Sequence, residues 1–164
     1  MATTFSWKGV CFALAAWFAS PAAIASIVIT GTRVIYPSDA PEVSVKLDNK
    51  GGSPVLIQSW IDNGNADAAP ETLQVPFILT PPINRVESGK GQTLRITFTG
   101  KLLPVDRESV YWLNVLEIPA RKATAVSDNY LQVAFRSRIK LFLRPVGLEG
   151  NANEAVTHVT WRAN

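Results

Sequence analysis

Few side chains in this 164-residue chain could do covalent chemistry, and they are scattered. There is one cysteine, Cys11, and one histidine, His158. A Ser-His-Asp or Cys-His device would have to be built on that one late histidine. A zinc site would have at most one thiolate and one imidazole to draw on, and Cys11 and His158 stand at opposite ends of the sequence. Asp106 and Glu108 invite comparison with paired catalytic carboxylates, but with only Arg107 between them they need not converge on any bond. The expectation is therefore a protein that is not an enzyme, with no cofactor, no metal and no small-molecule substrate. The chemistry that remains is cationic. Within YLQVAFRSRIKLFLRP, from Tyr130 to Pro145, one face at period two carries Gln132, Arg136, Arg138, Lys140 and Arg144. Seen alone, cations so placed are ordinarily the solvated face of a sheet. A nucleic-acid stripe is the competing use, but a net charge of only +3 and an export signal argue against it.

The element that positions these cations is a strand. Its other face carries Leu131, Val133, Phe135, Ile139, Leu141 and Leu143, broken only by Ser137. About five or six residues is the usual strand length, so this one exceeds what a small core needs. Surplus strand with an apolar edge invites aggregation, or serves as a template on which another chain adds itself. On pattern alone, Leu131, Val133 and Phe135 fit an ordinary core equally well.

Residues 1–25 read as a secretory signal: Lys8, an apolar run from Val10 to Ser20, then Pro21 and the small-residue site Ala23-Ile24-Ala25, with cleavage expected after Ala25. An uncleaved membrane anchor is the rival reading, and Pro21 with the Ala-x-Ala site favours the signal. Cys11 lies inside this segment, so the mature chain has no thiol and its core must supply stability without disulfides. Beyond it, short alternating runs recur between turn signals: Ile27–Tyr36, Val43–Leu47, Val55–Ile61, Val75–Leu79, Leu94–Phe98, Val110–Ile118 and the strand already described. Seven such strands predict an all-β fold, an immunoglobulin-like seven-stranded β-sandwich, with Trp60 and Trp112 as large core residues. An up-and-down barrel fits the irregular loops less well. Residues 26–145 form this domain. Residues 146–164 read as a linker and the incomplete start of a second domain, with Val156, Val159 and Trp161 lacking obvious partners.

Leu103 to Ala120 reads LPVDRESVYWLNVLEIPA. This resembles the signature of the periplasmic pilus and fimbrial assembly chaperones, the PapD-like family, in its Leu-Pro, Asp-Arg-Glu, Trp112, Asn114 and closing Ile-Pro-Ala. Thr32 to Tyr36 resembles the family's first strand, Thr80-Pro81-Pro82 its mid-domain turn, and Arg138 to Phe142 its last strand. The likeness covers residues 27–145, essentially the family's N-terminal domain. Both the sandwich and strand addition are established properties of these chaperones rather than deductions from this chain.

The resemblance implies a periplasmic chaperone that lends its last strand to pilus or fimbrial subunits, which are incomplete sandwiches, and delivers them to an outer-membrane usher. By that likeness Leu131, Val133 and Phe135 are the groove-binding residues. Arg33 and Lys140 match a pair that grips the subunit's C-terminal carboxylate, and Glu108 and Arg144 match two members of an interdomain salt bridge. The short loop from Pro119 to Asn129 resembles the class serving rod-like pili. Two other readings stay open: a secreted immunoglobulin-like structural or adhesion module whose last strand pairs in its own sheet, and an inactive truncated chaperone remnant.

Overall fold

Alternation of apolar and polar residues builds nine strands in the computed structural model, which describes residues 26–100, 104–120, 133–148, 150 and 154–162. They are β1 (Ile27–Ile29), β2 (Arg33–Pro37), β3 (Val43–Asn49), β4 (Val55–Asp62), β5 (Phe77–Thr80), β6 (Ile83–Val86), β7 (Gly91–Phe98), β8 (Ser109–Pro119) and β9 (Phe135–Arg144). One sheet has the order β1-β3-β7-β5 and the other β2-β9-β8-β4-β6. Together they form the expected immunoglobulin-like sandwich.

Nine strands replace the expected seven for two reasons. The run from Ile27 to Tyr36 is divided at Gly31, whose φ of 102° suits glycine and few other residues. The chain changes sheets there: β1 pairs antiparallel with β3, whereas β2 pairs parallel with β9. The second addition is β6, entered through Thr80-Pro81-Pro82, which carries the chain from one sheet to the other. Only Val86 of β6 is buried, so an edge strand this short shows no clear alternation.

The core lies between the sheets. Val55, Ile57, Ser59 and Ile61 of β4 point into it, as do Leu113 and Val115 of β8 and Leu141 and Leu143 of β9. This phase turns Trp60 and Trp112 to the outer face, where both are only half-buried, so neither is the core residue the sequence suggested. The large aromatic of the core is Tyr36, fully buried against Phe77 and Phe98. Its hydroxyl donates to the carbonyl of Ala40 at 2.9 Å and accepts from the Phe98 N–H at 3.0 Å, so a buried polar atom is satisfied while bracing β2 against β7. After β9 the chain makes a 3-10 turn at Ala155–His158.

Candidate functional site: the free edge of the last strand

The ten residues of β9 have unequal neighbours. Strand β8 pairs with it from Phe135, opposite Glu117, to Leu143, opposite Ser109. Strand β2 covers its other side only from Lys140 to Arg144. From Phe135 to Ile139 that second side has no strand partner among the described residues. The backbone groups there are available to an added chain.

The apolar face follows the same division. Leu141 and Leu143 are buried and Ile139 packs against the core, whereas Phe135 is 64% exposed and Val133 46% exposed. One alternating stripe thus runs from the interior out past the sandwich. Leu131 lies outside the described residues.

Arg33 and Lys140 are direct neighbours in the β2–β9 ladder, about 5 Å apart between backbones. They sit where β2 stops covering β9, at the foot of the open edge. Both side chains are exposed, and neither makes a hydrogen bond or ion pair among the described residues. The other cations on this face of β9 are occupied. Arg136 donates to the Ala66 carbonyl at 2.8 Å. Arg144 pairs with Glu108 at 2.6 Å. Arg138 grips Asp62 through both of its oxygens, at 2.9 and 2.6 Å, and lies 4.6 Å over the ring of Trp112.

Asp62 was not singled out from the sequence. It is almost wholly buried on the outer face, beneath Arg138, and also accepts from the Asn114 side-chain amide and the Gly64 N–H, each at 2.7 Å. Burial pushes its carboxyl up, but those hydrogen bonds and the charge of Arg138 outweigh burial, and it is held below the usual aspartate value. The same carboxylate raises the Arg138 guanidinium. Gly64, at a φ of 116°, closes the turn over Trp112, 3.3 Å from where a Cβ would stand. Asp106 pairs with Arg107 at 3.9 Å while Glu108 turns to Arg144, so the two carboxylates do not converge. No group of three metal-ligating side chains occurs among the described residues.

A sandwich with a half-covered last strand matches a known pattern. Residues 26–149 match the family described as pili and flagellar-assembly chaperone, PapD N-terminal domain. The chain belongs to this family. Among curated relatives of this PapD-like chain, the chaperone protein FimB/FhaD of Bordetella pertussis is 56% identical over 87% of this chain and 60% of its own length. The probable fimbrial chaperone YadV of Escherichia coli is 48% identical over 93% of this chain and 63% of its own length. The crystal structure of YadV superposes with a TM-score of 0.68, at 48% identity, over 84% of this chain and 60% of that one. The CupB2 chaperone of Pseudomonas aeruginosa gives a TM-score of 0.69, at 44% identity, over 80% and 61%. The chain therefore spans about 60% of the length of these relatives.

Proposed function

We propose that this chain acts in the periplasm as a chaperone for pilus or fimbrial subunits, lending β9 as the strand an unfinished subunit lacks. The observation that carries this reading is the open edge from Phe135 to Ile139, with two adjacent cations at its foot. A subunit strand adds along that edge. Val133 and Phe135, with Leu131 before them, enter the subunit's apolar groove. Each buried side chain contributes roughly 1.5–3 kcal/mol, from which association entropy subtracts. The subunit's terminal carboxylate settles between Arg33 and Lys140, which replace the water it loses. Anchoring that end sets the register, because a one-residue slip would turn the apolar side chains to the wrong face.

The leader is removed after Ala25, and residues 146–164 lead into a second domain, in keeping with the greater length of the relatives. The Glu108–Arg144 pair, at the far end of β9, braces the exit toward that domain. Loaded subunits pass to an outer-membrane usher.

The test is a titration of the purified protein with a peptide of alternating apolar residues ending in a free carboxylate, against its C-terminal amide. Lys140→Ala is expected to weaken the free acid by about 2–5 kcal/mol and the amide far less. Equal binding of acid and amide, unchanged in Arg33→Ala and Lys140→Ala, overturns the carboxylate clamp.

A further inference from the structure

We infer that Arg138 is a positioning residue for the clamp: by covering and neutralising Asp62, it keeps Lys140 and Arg33 free for a carboxylate from outside. This inference rests on the proposed carboxylate-binding role of those two cations.

The ladder across four strands places Asp62, Trp112, Lys140 and Arg33 in one row on the outer face. Two unpaired cations in such a row would normally be captured by the nearest acidic side chain. Three described carboxylates act on the cations of β9: Asp62 on β4, Asp67 in the loop after it, and Glu108 before β8. Glu108 is taken by Arg144. Asp67 is exposed and acts on Arg138 only through its charge. Asp62 is the threat, being fixed in the sheet, fully ionised and in the clamp's own row.

Arg138 removes it in three ways. It occupies both oxygens of Asp62 in a two-pronged contact. Its guanidinium lies over the ring of Trp112, the residue that stands between Asp62 and Lys140 in the row. It also cancels the charge that would draw Lys140, the next cation on that face, about 7 Å along β9. A lysine at position 138 could supply the charge but not the fork or the stacking. The arrangement resembles a lock held open: each flanking arginine satisfies one internal acid, and the middle pair is left unsatisfied.

The experiment compares the free-acid and amide forms of the same alternating apolar peptide on wild type, Arg138→Gln, and the double variant Asp62→Asn/Arg138→Gln. In Arg138→Gln the exposed Asp62 captures Lys140, and the free acid binds about fivefold more weakly, the worth of an exposed ion pair that must first be broken. The readout is the ratio of acid to amide binding, so any effect of position 138 on the added strand itself cancels, and urea unfolding of each variant reports that the fold is intact. The double variant restores the acid's advantage, because the competitor is gone. A purely structural role for Arg138 predicts no such rescue and equal losses for acid and amide, and either result overturns the inference. Wild type that fails to distinguish acid from amide fails the clamp itself, a separate outcome.

Discussion

Phe135 and Leu141 lie on the same face of the same strand, yet they should answer truncation in opposite ways. Leu141 is buried in the core, so Leu141→Ala leaves a cavity and should destabilise the fold by about 2–5 kcal/mol. Phe135 is 64% exposed, so its truncation removes little from the folded chain, within about 0.5 kcal/mol. Its contribution is realised only when something covers it. A phenylalanine side chain offers about 200 Å². The exposed share is then about 130 Å², which at about 25 cal/mol per Å² corresponds to about 3 kcal/mol on full burial. Alanine keeps part of that area, so the binding loss should be about 2 kcal/mol, roughly thirtyfold. Urea unfolding of each variant measures the first quantity, and titration with the free-acid strand peptide measures the second. If Phe135→Ala lowers the unfolding midpoint as far as Leu141→Ala does, Phe135 belongs to the protein's own core and the lent-strand reasoning is wrong.

Two further outcomes follow from buried polar groups. Tyr36→Phe leaves the Phe98 N–H without its acceptor and should cost about 1–3 kcal/mol of stability, read by thermal or urea unfolding, with the strand edge unchanged. Asp62 has a folded-state value below its unfolded one, so its stabilisation is complete above the ordinary aspartate value, near pH 4, and drains away as pH falls through the lowered native value. Asp62→Asn should therefore be less stable than wild type by about 2 kcal/mol at pH 7. The gap should narrow in acid, and unfolding curves that stay parallel down to pH 2 would refute the assignment.

How far the molecule could be read from its residues depended on how local the determining pattern was. The two faces of β9 were legible because alternation is a property of adjacent residues, and Leu141 and Leu143 sit where that alternation places them. The division at Gly31 was not, since glycine is equally compatible with an unbroken run and only the partner strands show that the chain changes layers. Trp60 and Trp112 misled because size suggested burial, while the phase of Val55, Ile57 and Ile61 on one strand and of Leu113 and Val115 on the other had already turned both rings outward. The neighbourhood of Arg33 and Lys140 joins residues over a hundred positions apart, which no periodicity encodes; only the likeness to a family brought them together beforehand. Asp62 escaped notice for the same reason, as an ordinary acidic residue at a strand end until Arg138 arrives from the other end of the chain.

Unequal neighbours give β9 the mechanics of a cantilever. Its root, from Lys140 onward, is clamped between β2 and β8, while its tip is seated on β8 alone. A load hung on the tip is carried into the β8 ladder and dies out at the root, where Leu141 and Leu143 are anchored. Whatever docks on the overhang can come and go while the beam's foundation stays in place.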